Sequence, residues 1–243
     1  MPLQWLTDTP FAHRGLHDPR TGHVENSLSA FQAAMTKGHG FELDILLSKD
    51  NKAMVFHDMD LERLTGRTGR IDDYTAEQLL SDFTLSGSQD VIPTLARLLS
   101  TTDGHYPILV EIKGDQGRSD DIAKAVYEDI QNFEGSLAIM SFYPDIVRWF
   151  QRNAPQIPRG LVATTRNDGE MPDGYFTADK QISLIEELAV DFIAYDIQAL
   201  PNEVTKYCRA KDIPVLTWTV RSAELYQKAR QHTDNIIYEN LDL

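Results

Sequence analysis

A chain of 243 residues, 42% hydrophobic and 25% charged, can bury a full core and needs no disulfide or metal to hold its fold. Its 37 acidic and 23 basic residues leave a formal net charge of −14, a surface that repels nucleic acid and anionic membranes and argues against either as a partner. One cysteine, Cys208, excludes an intrachain disulfide; Met1 to Pro10 carry no basic, apolar leader and no run approaches the roughly 18 apolar residues of a membrane span, so a cytoplasmic protein without stable membrane insertion is expected.

Short apolar runs alternate with amphipathic stretches along the chain. Pro10 to His13 predicts the first strand. Asn26 to Thr36 follows as a helix, with Leu28, Phe31, Ala34 and Met35 at helical spacing and Asn26 or Ser27 as the N-cap. Phe41 to Leu47 predicts the second strand. Ala53 to Ser88 is too long for one crossover and reads as an insertion opening on a short extra strand, Met54 to Phe56. Ile108 to Ile112, Leu137 to Phe142, Gly160 to Ala163, Phe192 to Tyr195, Val215 to Val220 and Ile236 to Tyr238 complete eight candidate strands. Between them, Asp120 to Phe133, Asp145 to Asn153, Asp179 to Leu188, Asn202 to Lys211 and Ala223 to Gln231 carry helical periodicity. This alternation, in a chain near the ~250 residues typical of such folds, predicts an α/β protein: a TIM (β/α)8 barrel over residues 1–243 as a single domain, with a small insertion at about 53–88 between strands two and three. The first strand-to-helix turn, His13-Arg14-Gly15-Leu16-His17, lacks the glycine fingerprint of a dinucleotide-binding doubly wound sheet.

Glu42 and Asp44 alternate with Leu43 and Ile45 on the second strand, so the two carboxylates share one face. At a barrel mouth they repel each other unless a cation sits between them, and oxygen donors of this kind suit Mg2+ or Ca2+ better than Zn2+. The competing reading is a solvated pair on an edge strand. Glu111 and Lys113 share a face at the end of the next barrel strand. Glu111 is a candidate third ligand and Lys113 a point charge for a phosphate oxygen, with a structural ion pair as the alternative. His13 and His57 end apolar segments and suit proton transfer near neutral pH. Arg14 offers a rigid fork for phosphate oxygens, and Gly15 permits a turn that other residues resist. Trp218 is either an apolar wall for a substrate or ordinary core. His17, His23, His39, His105 and His232 are read as solvated surface in loops or outer helices.

The ordered set His13-Arg14-Gly15, Glu25-Asn26-Ser27, Glu42-Leu43-Asp44, His57-Asp58, Glu111-Ile112-Lys113 and Trp218 resembles the glycerophosphodiester phosphodiesterase family, as do Asp60-Leu61-Glu62-Arg63-Leu64-Thr65-Gly66 and Ile92-Pro93-Thr94-Leu95. The resemblance covers nearly the whole chain. It implies a TIM barrel with a small insertion, and Glu42, Asp44 and Glu111 as ligands of one divalent cation, Mg2+ or Ca2+. It implies His13 and His57 as the catalytic acid/base pair, with Arg14, Lys113 and Trp218 on the substrate. The implied activity is hydrolysis of a small-molecule glycerophosphodiester to an alcohol and sn-glycerol 3-phosphate.

The chain departs from the family pattern at a few places. Val24 stands where Pro is common, and Ser27 replaces Thr while keeping a capping hydroxyl. Tyr238-Glu239-Asn240 replaces the usual Thr-Asp of the eighth strand, a change that bears on substrate preference and barrel closure, and the chain ends about one helix early. Three other readings compete. A lyase on the same barrel that stops at a cyclic phosphate is disfavoured by a flap, Asp58 to Ser88, rich in charge and poor in aromatics. A metal-dependent sugar isomerase or aldolase has no use for the His-Arg-Gly start. A catalytically silent binding barrel is disfavoured because Glu42, Asp44, Glu111, His13 and His57 are all present. The departing alcohol, the physiological metal and the oligomeric state are left open by the sequence.

Overall fold

The computed structural model describes residues 3–18, 20–114, 117–166 and 174–243. Its strands are β1 (Phe11–Ala12), β2 (Gly40–Leu47), β3 (Ala53–Val55), β4 (Ile108–Ile112), β5 (Leu137–Ser141), β6 (Arg159–Ala163), β7 (Phe192–Asp196), β8 (Val215–Val220) and β9 (Asn235–Tyr238). All but β3 run parallel and close into an eight-stranded ring. Closure falls on the two residues of β1: Phe11 pairs with Gly40 and Ile237, Ala12 with Phe41 and Tyr238. The unusual eighth-strand sequence therefore does not prevent closure, and His13 N donates to Tyr238 O at 2.9 Å just beyond it. All eight expected barrel strands form, and the extra strand expected at Met54 to Phe56 is β3, antiparallel on β2 with Ile45 opposite Val55.

Among the described residues, ten α-helices accompany them: α1 (Trp5–Asp8), α2 (Leu28–Lys37), α3 (Glu62–Thr65), α4 (Ala76–Asp82), α5 (Leu95–Ser100), α6 (Ser119–Ile130), α7 (Pro144–Asn153), α8 (Ala178–Leu188), α9 (Glu203–Ala210) and α10 (Ala223–His232). Their starts follow from side-chain chemistry. Ser27, Thr94, Thr177, Asn202 and Ser222 each accept from a backbone N–H of the first turn of α2, α5, α8, α9 and α10, satisfying a donor that no helical carbonyl can reach. Pro144 opens α7, where its missing N–H costs nothing.

The strands are buried on both faces, as a parallel barrel requires. Outward residues such as Leu43 and Ile45 join Phe31, Ala34, Ile122 and Val126 in one continuous core beneath the helices. The insertion has a small core of its own, with Leu46, Met54, Phe56, Leu61, Ile71, Leu79, Phe83, Leu85 and Ile92 in contact. It therefore folds as a packed lobe beside β2. Helix α5, which returns the chain from that lobe to β4, is a barrel helix that the periodicity reading does not name. No helix among the described residues is long and apolar enough to cross a membrane.

Candidate active site

The C-terminal strand ends open into a cavity of about 240 Å³, lined in part by His13, Arg14, Glu42, His57, Glu111 and Lys113. On β2, Glu42 and Asp44 point inward, and Asp44 lies beside Glu111 in the β2–β4 register. Glu42, Asp44 and Glu111 are all buried, with carboxylate oxygens within 4.8 Å of one another. Lys113 Nζ sits 2.5 Å from Glu111 Oε1 and 3.1 Å from Asp44 Oδ1. Arg14 donates its backbone N–H to Glu42 Oε2 at 2.9 Å and sets Nε 3.1 Å from Asp44 Oδ2, an ion pair without hydrogen-bond alignment. Asn26, which the sequence offers as a helix cap, instead donates Nδ2 to Asp44 Oδ2 at 2.9 Å and accepts the Asp44 N–H at 3.2 Å, leaving the cap to Ser27.

These surroundings split the carboxylates electrostatically. Burial would raise the Asp44 pKa, but Lys113 and Arg14 outweigh it and hold the group well below the usual range. Burial raises Glu42 well above that range, and repulsion from Asp44 and Glu111 adds to it. Glu42 Oε1 is buried and has no hydrogen-bond partner among the described residues. A buried, partnerless carboxylate oxygen beside two more carboxylates is the environment a hard divalent cation relieves, so the donor set fits such an ion.

Two histidines flank the carboxylates. His13 Nδ1 lies 2.5 Å from Glu239 Oε1, and its Nε2 lies 3.8 Å from Glu42 Oε2. Burial pushes the His13 pKa down to about 4, against the opposing pull of Glu239. Arg221 donates to both Glu239 oxygens, at 2.7 and 3.1 Å. Burial would raise the Glu239 pKa, but hydrogen bonds from His13 and Arg221, with His17 close by, drive it far below the carboxylate range. On the other side, His57 Nδ1 is 2.7 Å from Asp58 Oδ1. Both imidazoles thus present Nε2, with the Nδ1 proton assigned from its carboxylate partner.

The expectation of a solvated His17 is corrected: its Nε2 is buried 3.8 Å from Glu239 Oε1, because the Gly15 turn folds the loop inward. His39 is likewise partly buried, its Nδ1 2.6 Å from the Tyr238 hydroxyl. His105 lies exposed beside Asp103, as expected. Trp218 lines the far wall; its Nε1 donates to Ala194 O at 3.0 Å, and the ring meets Phe142 edge-on at 5.5 Å. Arg166, Asp196, Gln198 and Arg221 complete that wall. Sequence reasoning does not single these out, although each lies at or just past a strand's C-terminal end, where barrel sites gather. Arg14, Lys113, Arg166 and Arg221 bring four cations to the mouth, each paired with a neighbouring carboxylate.

Gly15 makes the inward turn possible. Its φ is +81°, and a Cβ there would lie 2.8 Å from both the carbonyl carbon and the Cβ of Ala30. Gly15→Ala is expected to cost about 1–3 kcal/mol through backbone strain alone, with the contact adding to it. Denaturant unfolding checks this, and an unchanged midpoint would contradict it.

Fold and polar mouth together define a TIM-barrel enzyme. Residues 13–243 match the model of the glycerophosphoryl diester phosphodiesterase family, and the chain belongs to that family of phosphoric diester hydrolases. A glycerophosphodiester phosphodiesterase of Bacillus altitudinis is 33% identical over 175 residues, 68% of this chain and 69% of its own length. One from Caldanaerobacter subterraneus is 27% identical over 247 residues, covering 94% and 93%. Among solved structures, the glycerophosphodiester phosphodiesterase of Thermotoga maritima superposes with a TM-score of 0.74 at 28% identity, over 94% of this chain and 92% of that one. A phosphodiesterase of Oleispira antarctica, solved with the product sn-glycerol-3-phosphate, gives 0.78 at 19% identity over 97% and 94%; at that identity the likeness speaks to fold alone.

Proposed function

We propose that this protein hydrolyses glycerophosphodiesters to an alcohol and sn-glycerol 3-phosphate, with a divalent cation, Mg2+ or Ca2+, held by Glu42, Asp44 and Glu111. The observation that carries the reading is the convergence of Glu42 and Glu111 with His13, His57, Arg14 and Lys113 on one cavity, with the Asp44 carboxylate buried within 4.8 Å of the other two. The cation, when bound, neutralises the nonbridging phosphate oxygens and the charge that builds during displacement. Arg14 and Lys113 hold phosphate oxygens, the first as a fork and the second as a point charge. Trp218 and Phe142 supply an apolar wall for the glycerol carbons.

His13 is the proton acceptor. With its pKa pushed down to about 4 by burial, it is neutral at pH 7, and its Nε2 is the nitrogen left to take the nucleophile's proton. The nucleophile is the hydroxyl of water, or that of the neighbouring glycerol carbon, in which case a cyclic phosphate forms as the alcohol leaves and water then opens it to sn-glycerol 3-phosphate. His57, held through Nδ1 by Asp58, donates a proton to the departing alkoxide, whose expulsion is otherwise slow. Glu239 fixes which His13 nitrogen faces the substrate. Glu239→Gln is therefore expected to lower kcat by about 10–10²-fold, the scale of a misplaced catalytic group, with a smaller change in KM. Steady-state kinetics checks this; a wild-type kcat in Glu239→Gln removes the role.

The whole chain, 1–243, acts in this reading as one catalytic unit with its insertion at about 53–88. Its partner is a small diester and not nucleic acid, and a cytoplasmic setting accords with its single thiol and acidic surface. Phosphate release from a glycerophosphodiester, measured after adding a phosphomonoesterase, tests the function. Release well above a no-enzyme control supports it, and none under any divalent cation overturns it.

A further inference from the structure

The inserted lobe makes one polar connection that reaches both halves of the candidate site. Arg63, on α3, donates Nη1 to Glu25 Oε2 and Nη2 to Glu25 Oε1, each at 2.8 Å, and Nε to Asp58 Oδ2. Each acceptor holds a residue of the mouth with the same carboxylate. Glu25 Oε1 also accepts from Arg14 Nη1 at 2.7 Å, and Asp58 Oδ1 faces His57 Nδ1 at 2.7 Å. One guanidinium is thus one carboxylate away from the proposed phosphate arginine and one carboxylate away from the proposed acid. Arg63 does not line the cavity, and its side chain is 48% exposed.

We infer that Arg63 is a positioning residue through which the inserted lobe sets Arg14 and His57 in register with each other. The inference rests on the function proposed above. A planar fork with several fixed N–H donors can serve two carboxylates at once, and a lysine ammonium cannot reproduce that geometry. Glu25 and Asp58 gain from it electrostatically. Burial would raise both, yet Arg63 with Arg14 brings Glu25 to about 2, and His57 with Arg63 holds Asp58 below the carboxylate range.

The lobe does not depend on Arg63 to stay folded. It keeps its own apolar core and other ties to the barrel: Ala76 N to Asp50 Oδ1 at 2.8 Å, Lys49 N to Tyr74 O at 2.9 Å and Ser29 Oγ to Asp90 Oδ2 at 2.5 Å. Removing the guanidinium should therefore disturb chemistry more than stability. Glu25 would keep Arg14 as a side-chain donor, and Asp58 would be free to turn away from His57.

The test uses Arg63→Ala and Arg63→Lys in the full chain with Mg2+, alone and combined with Asp58→Asn. Arg63→Ala is expected to lower kcat by about 10–10²-fold, as loss of alignment does, with a transition temperature near the wild type. Added guanidinium should restore part of the rate, and Arg63→Lys should recover less than half. Combined with Asp58→Asn, the losses should be strongly sub-additive, because both changes break one chain of contacts. The 15N spectrum of His57 without substrate supplies a readout that does not need turnover, and Arg63→Ala should shift its Nδ1 signal away from that of an Nδ1–H held by Asp58. Wild-type kcat in Arg63→Ala, full additivity with Asp58→Asn, or an unchanged His57 spectrum would each overturn the inference. If wild-type protein cleaves no glycerophosphodiester, the proposed function fails and the His57 spectrum alone decides this point. Should Arg63→Ala unfold, the same measurements on Arg63→Lys decide.

Discussion

His13→Ala and His57→Ala are each expected to lower turnover by roughly 10²–10⁴-fold, the range for loss of a positioned proton-transfer group. Both side chains sit at strand ends against the cavity rather than in the apolar core, so the folded state should survive either change. The two losses should differ in their pH signature. His13 acts as a base, so it must be unprotonated. Burial places its pKa at about 4, so wild-type activity should fall as pH drops towards that value. The His13 variant should lose that acidic limb, whereas the His57 variant should keep it. Near-normal turnover in either variant would make that histidine structural.

The second large effect concerns the cation. Excess chelator should abolish activity and added Mg2+ or Ca2+ should restore it. Glu42→Ala should lose both metal binding and turnover, because the two remaining carboxylates give a hard cation too few oxygen ligands. Burial and the neighbouring carboxylates raise the Glu42 pKa, so in the metal-free protein this group tends to keep its proton. Cation uptake must displace that proton, and calorimetric affinity should therefore climb as pH rises. Full activity in excess chelator, or unchanged cation affinity in Glu42→Ala, would remove the carboxylate site from the mechanism.

The barrel was legible because its signals are local. Alternation on β2 places Glu42 and Asp44 on one face whatever the rest of the chain does, and the capping residues announce most helix starts. Helix α5 is harder to see: six residues give less than two turns of periodicity. What periodicity cannot supply is the second layer of the site. Glu239 reaches His13 across 226 positions, and Arg63 reaches Glu25 across 38. Both are ordinary charged residues in sequence, and only the closed ring and the packed lobe bring them to their partners. The eighth-strand departure, Tyr238-Glu239, was visible as a difference from the family pattern. Its structural meaning, a carboxylate on His13 and a hydroxyl on His39, arises only when the ring closes. Asn26 shows the reverse case: a competent capping side chain is drawn away by Asp44, and Ser27 caps the helix instead.

The central claim is that one cavity joins a carboxylate-held cation to an acid/base histidine pair acting on a glycerophosphodiester. The most direct test follows a glycerophosphodiester by 31P NMR with the protein, once with Mg2+ or Ca2+ and once with excess chelator. The account predicts conversion of the diester signal to glycerol 3-phosphate, with release of the free alcohol, only in the presence of the cation. A diester signal that persists with either cation, or that disappears equally fast in chelator, would contradict it.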